Sequence, residues 1–455
     1  MFNGYNAIGP VPDHHASTHK GETMKKFLIG LVIFIVAAVA TFLTAYHVGL
    51  YHGQSPHEGT RAITGATLID GTGADPVENG VVVIEDARIA AVGPADEITV
   101  PEEAEILEAG GLTLLPGLID AHVHFGAPEV DEPEDWEELS VPLLIWDGLR
   151  LGPDTRRAFI ENGVTTIRSA GDSDEWIVDV RDEIAEGEIE GPRIYTAGPS
   201  FTAPGGHPAG TIYEGIDYLV ETATRQVEHP DHARSRVEEL DQLGVDFIKT
   251  VVDDGRPNEP IPRLEPEILE AIVDEAHDRD LTVTTHWGDP EDAQAALDAG
   301  VDALEHVSVA PIPDELAERI AEQDVPVVPT LTVVEALLPD RVFDMSLDNV
   351  IRLHEAGVRL LAGSDTANPG VPFGESLHRE LELLVEAGLD PHQALRAATA
   401  DNAELLGAED ELGTLEPGKR ADLVAVEGDP LQDISATRET RLVLREGKLL
   451  VDERE

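Results

Sequence analysis

His122 and His124 close an apolar run from Leu114 to Phe125. On a strand, alternate side chains share a face, so both imidazoles point the same way. Two convergent imidazoles suit a borderline cation such as zinc. A hydrogen-bonded or solvated pair would look the same in isolation, and the rest of the chain weighs against it. Lys249 sits in Asp246-Phe247-Ile248-Lys249-Thr250, His286 in Thr285-His286-Trp287-Gly288, His306 in Glu305-His306-Val307, and Asp365 in Gly363-Ser364-Asp365-Thr366. Singly, a strand histidine is a hydrogen-bonded core residue and such an Asp is a helix cap. Together, four imidazoles, a lysine and a carboxylate at the ends of apolar runs make a metal-binding set.

Lys249 is the most informative member. The lysines are Lys20, Lys25, Lys26, Lys249, Lys419 and Lys448, so it stands alone between residues 27 and 418. An unpaired ammonium on an apolar strand is costly, and burial lowers its pKa and frees the amine to react. Carbon dioxide would convert it to a carbamate, a two-oxygen anion able to bridge two cations. The plainer alternative is a lysine paired with a nearby carboxylate.

These residues need elements to position them. Eight apolar, β-branched runs span Leu118 to Phe125, Val164 to Gly171, Arg193 to Gly198, Val245 to Val252, Leu281 to Gly288, Ala303 to Ala310, Val325 to Thr332 and Val358 to Thr366. Between them lie helix-like segments such as Glu265 to Asp280, Pro313 to Gln323 and Leu347 to Ala356, the last capped by Ser346 and ended by Gly357. This rhythm predicts an α/β fold, a (β/α)8 TIM barrel over 117–412, with chemistry at the C-terminal strand ends. Short β runs at Ala62 to Ile69, Val81 to Ile84 and Ile89 to Val92 return at Asp422 to Val426 and Leu442 to Leu444. They predict a small flanking β-sandwich domain built from both chain ends, 61–116 and 413–455.

Before it come a polar tail (1–26), an apolar segment (27–46) and a polar linker (47–60). Phe27 to Tyr46 carries no charge and follows Met24-Lys25-Lys26. That length spans a bilayer core, and the flanking lysines predict a transmembrane anchor with the catalytic domain on the extracytoplasmic side. Cleavage at Ala38-Val39-Ala40 would instead release a secreted form. The 455 residues carry 90 acidic against 31 basic side chains, a formal net charge of −59. Such a surface excludes nucleic acid as a partner. Abundant acid with little lysine resembles halophilic proteins. There is no cysteine, hence no disulfide and no thiolate ligand.

With those residues in place, the sequence from about 60 to 450 resembles the amidohydrolase superfamily of metal-dependent hydrolases. Gly205-Gly206-His207, Pro329-Thr330-Leu331 and Glu416 to Leu423 resemble its imidazolonepropionase and metal-dependent prolidase branch. The resemblance implies a binuclear site for two divalent metal ions, zinc being the expected identity. His122, His124 and Asp365 would hold the buried ion, His286 and His306 the exposed one, and carbamylated Lys249 would bridge them. It implies hydrolysis of an amide, peptide or cyclic amide C–N bond by a metal-bridging hydroxide, with Asp365 as general base. His207, on the loop after the third run, is placed to orient the substrate carbonyl, or is a solvated loop histidine. Tyr213, Arg168, Thr330 and Trp287 are further pocket candidates. His229, His232, His277, His354, His378 and His392 read as surface residues. Val251 to Gly255 and Ser169 depart from that branch, which bears on the substrate. A mononuclear deaminase of the same fold would need an acid beside His286, where the nearest are Asp289 and Glu291. A catalytically weak, membrane-tethered binding protein would have lost ligands, and none is missing. The expected partners are a small-molecule amide or dipeptide and, as a homo-oligomer, further copies of the chain.

Overall fold

The strand runs pair in parallel, and the side chains above stand at or near the ends of the ladders, apart from Lys249, the second residue of its strand. A computed structural model describes residues 56–126, 152–256 and 259–454, with Gly30, Ile33, Phe34 and Ala37. The chain divides into two units, Met1–His52 and Gly53–Glu455. The polar tail and the apolar segment 27–46 lie outside the described residues apart from those four, which are helical. Among the described residues no helix is long and apolar enough to cross a membrane, so the transmembrane anchor has no structural support.

In the unit Gly53–Glu455, the barrel strands are Leu118–Val123, Val164–Ser169, Arg193–Thr196, Ile248–Val252, Val283–Trp287, Ala303–Glu305 and Val327–Val328. The predicted eighth run forms no regular strand. Leu360 bridges Val327 and Thr366 bridges Val123. Ala121 N donates to Ala362 O at 3.0 Å, and Asp365 N donates to His122 O at 2.8 Å. These bonds join the last segment to the first. Most predicted runs are longer than the strands, because residues at the C-terminal ends leave the ladder. His306 (φ 73°) and Asp365 (φ 58°) are left-handed, outside the extended region of regular strands.

Around the strands pack helices including Pro266–His277, Pro290–Ala299, Asp314–Glu322, Asp340–Glu355 and Glu375–Glu386. Helix Asp340–Glu355 starts at Asp340 rather than after Ser346, which is buried inside it. Pro339 sets that start: its φ is pre-formed and it cannot donate a backbone bond. His378 corrects a second expectation. It is fully buried on helix Glu375–Glu386, with Nδ1 3.0 Å from Thr437 Oγ1. That helix is covered from Ser376 through Leu384 on more than one face, so a polar residue there is drawn inside.

A second sheet has eight strands in the order Lys448–Asp452, Thr440–Arg445, Leu423–Glu427, Leu112–Pro116, Thr60–Leu68, Val77–Glu85 and Arg88–Pro94, with Glu105–Glu108 also paired to Thr60–Leu68. Leu423–Glu427 runs antiparallel to Leu112–Pro116, so strands before and after the barrel share one ladder. Its core includes Ile63, Val82, Leu114, Leu423 and Leu442.

Candidate active site

The barrel mouth gathers the sequence-selected residues around one cavity of about 660 Å³. His124, His207, Lys249, His286, His306 and Asp365 line it. His122 lies fully buried beside them. Its Nε2 is 3.5 Å from Asp365 Oδ1, and His124 Nε2 is 3.4 Å from the same oxygen. His306 Nδ1 lies 3.7 Å from Asp365 Oδ2. The rings of His286 and His306 are 4.4 Å apart, and those of His122 and His306 are 4.7 Å apart.

A surrounding layer fixes which nitrogen faces inward. His122 Nδ1 is 2.6 Å from Glu305 Oε2, leaving Nε2 toward Asp365. His124 Nδ1 donates to Gly171 O at 2.8 Å, and a side chain at Gly171 would come within 3.3 Å of that imidazole. His306 Nδ1 meets Thr330 Oγ1 at 2.8 Å. Gly363 permits the last segment to lie on the first strand, since a Cβ there would sit 2.9 Å from His122 N and Cβ. Glu305 is held in turn by Arg168 Nη1 at 2.5 Å and by the Thr284 hydroxyl. Histidine ligands in metal sites are oriented by this kind of outer partner.

The site fits a cation. His122 Nε2 and Asp365 Oδ1 are buried without a hydrogen-bond partner among the described residues. Each such atom costs roughly 1–3 kcal/mol when unsatisfied. The donor atoms of His122, His124 and Asp365 lie within 4.8 Å of one another, a group able to hold a metal ion. Electrostatics agree. Burial holds His122 neutral, its pKa lowered to about 4, so Nε2 keeps its lone pair. Burial pushes Asp365 upward, but His122, His124 and Lys249 outweigh it and keep the carboxylate ionised. Lys249 is 3% exposed, and burial lowers its amine to about 8. Glu305 and Asp365 act on it through space, with no hydrogen bond to the amine among the described residues.

His207 and Tyr213 face the cavity, as does Trp287, whose Nε1 donates to His306 O at 3.1 Å. Arg168 does not: it is buried between Glu305 and the Phe247 ring. Thr330 acts on His306 rather than on the cavity. Sequence reasoning missed Glu305, although a glutamate inside an apolar strand needs a partner. It also missed Asp253, whose Oδ2 is 3.5 Å from His286 Nε2, and whose pKa His286 pulls down to about 2 against burial. Asp172 was missed too. It accepts from Phe125 N at 3.0 Å and Gly126 N at 2.8 Å, and from the Ser169 hydroxyl, holding the loop after His124.

A model of the Amidohydrolase family matches residues 113–450, most of the chain. The chain belongs to the amidohydrolase family. This amidohydrolase is 30% identical over 414 residues to ochratoxinase of Aspergillus niger, covering 83% of each chain. It is 25% identical over 422 residues to imidazolonepropionase of Geobacillus kaustophilus, covering 83% of this chain and 91% of that one. Among solved structures it is similar to a Xaa-Pro dipeptidase with bound methionine in the active site. The TM-score is 0.75 and the identity 27%, covering 86% of this chain and 100% of that one. The protein is thus a hydrolase, of a family that acts on C–N bonds and generally uses divalent metal ions.

Proposed function

We propose that this amidohydrolase cleaves an amide, peptide or cyclic amide bond of a small molecule at a binuclear metal site. The observation that carries the reading is the pair of orphaned atoms, His122 Nε2 and Asp365 Oδ1, beside His124 at the floor of a cavity. His122, His124 and Asp365 would hold one ion, and His286 and His306 the other. Zinc suits this imidazole and carboxylate set. Lys249 would bridge them as a carbamate: its neutral amine adds carbon dioxide, an N–C bond forms as one C–O π bond opens, one proton leaves, and a single negative charge shared by two oxygens is presented beyond Nζ. Divalent cations here would polarise the substrate carbonyl and make water a nucleophile near neutral pH.

The remaining work falls to side chains. Asp365 accepts a proton from the attacking water and returns it to the leaving nitrogen, the role of a positioned general base and acid. His207 Nδ1 is bound to Thr211 Oγ1 at 2.8 Å, which fixes the ring over the cavity to orient the substrate carbonyl. Tyr213 is held protonated by burial and stays a donor.

Metal-reconstituted protein should carry about two equivalents of divalent ion and turn over members of an amide panel. Reconstitution should depend on bicarbonate, and Lys249→Ala should lose much of the metal and nearly all turnover. Two equivalents retained by Lys249→Ala would exclude the bridge.

A further inference from the structure

Away from the reacting groups, the described lining of the cavity is charged in one sense only. Beyond them its described lining is largely apolar, with Ile212, Ile261, Val309, Val333 and Leu337 around the opening. Ile212, Val309 and Leu337 are 42%, 46% and 37% exposed, large aliphatic side chains left open at the mouth. The ionisable side chains added to this wall are acidic, Asp253 and Asp289.

Among the described residues, the arginines near this wall are engaged by acids. Lys249 is the one lysine or arginine among the described lining residues, and it belongs to the reacting end. Arg168 is spent on Glu305, and Arg263 is held by Asp292 at 2.6 Å. His207 Nδ1 is already engaged by Thr211 Oγ1 at 2.8 Å. A substrate carboxylate clear of the reacting centre would therefore lose its water, meet two like charges and find no described cation. Burying an unpaired carboxylate is strongly unfavourable, and like-charge opposition is a recognised device for rejecting a ligand.

Resting on the hydrolase reading above, we infer that this enzyme selects amides that are apolar on both sides of the scissile bond and carry no carboxylate. Of the substrate kinds proposed there, this favours plain amides over dipeptides, which end in a carboxylate. Asp253 and Asp289 are the specificity-determining residues.

Matched pairs test the inference on metal-reconstituted full-length protein: N-benzoyl phenylalanine, leucine and proline against N-benzoyl phenethylamine, isopentylamine and pyrrolidine. Each pair differs by one carboxylate. The carboxylate-free member should show a kcat/KM higher by roughly tenfold or more. Asp289→Asn keeps a helix-capping side chain and removes the charge. It should lower KM for the acids by more than it changes KM for the neutral amides, and change kcat less. Equal or better hydrolysis of the acids would overturn the inference and leave the hydrolase reading intact. An unchanged preference in Asp289→Asn would overturn the exclusion by charge. Hydrolysis of neither member of any pair by metal-replete protein would overturn both the inference and the reading on which it rests.

Discussion

In the proposed mechanism Asp365 has two jobs that chemistry separates. A carboxylate binds a cation and accepts a proton, whereas an amide binds through oxygen and cannot accept that proton. In Asp365→Asn, His122, His124 and Lys249 remain to hold metal, so a substantial fraction should stay bound while kcat falls. General-base contributions of roughly 10²–10⁴-fold set the scale. Metal content and kcat measured on one preparation check this. Because His122, His124 and Lys249 hold Asp365 below its ordinary range, the wild-type base is ionised at neutral pH and is lost only on acidification. The acidic limb of kcat/KM should therefore change in the variant. Near-normal turnover with full metal would move the base to His207, whose neutral ring faces the same cavity.

Helix Glu375–Glu386 shows how one element couples the site to the rest of the barrel. Glu380, fully buried, accepts from Leu331 N at 3.0 Å and Thr332 N at 2.8 Å, capping the helix Leu331–Leu337 that supplies part of the cavity wall. Burial raises Glu380 to about 7 and lowers His378 to about 4. Between pH 6.5 and 4 an unfolded His378 binds a proton that the folded one refuses, so its share of stability falls as pH falls. Glu380 acts oppositely: stability drops as pH rises from its unfolded value toward 7. His378→Gln keeps a group able to bond Thr437 and should remove the first dependence alone. Between pH 6.5 and 4 the variant should lose less stability than wild type, by up to about 3 kcal/mol. Urea unfolding midpoints at several pH values measure it, and parallel curves for the two proteins would refute it.

For the whole molecule the governing quantity is the net charge of −59. Some arginines are shared among several acids: Arg379 reaches Glu335, Glu382 and Glu386, and Arg420 reaches Glu411 and Glu446. The remaining carboxylates repel one another through water, a repulsion that salt screens over about 10 Å at 0.1 M and about 3 Å at 1 M. The unfolding midpoint should rise between low salt and molar potassium chloride, and no gain would show that this repulsion does not limit stability. The uncharged run behind Lys25 and Lys26 carries its own expectation. Fractionation should recover the chain with membranes, its barrel open to protease added outside intact cells. A protease-resistant cytoplasmic pool would refute that topology.

Types and spacing alone selected the residues that converge at the barrel mouth, because a buried lysine, paired histidines and a strand-end carboxylate are too costly to place by chance on apolar runs. The same periodicity predicted the barrel, since strands alternating with helices pair in parallel whatever their detailed contacts. Tertiary structure decided what depends on partners distant in the chain. Glu305 reads as an ordinary acid until folding brings it to His122 and Arg168, residues 183 and 137 positions away. His378 reads as a surface histidine until both faces of its helix are covered. Arg168 reads as a pocket cation until Glu305 claims it. Local pattern records which side chains share an element's face, whereas burial and pairing are set by what packs against that face. That is why the residues that meet at the cavity were legible from the sequence, while their supporting layer and the sign of the cavity's charge were not.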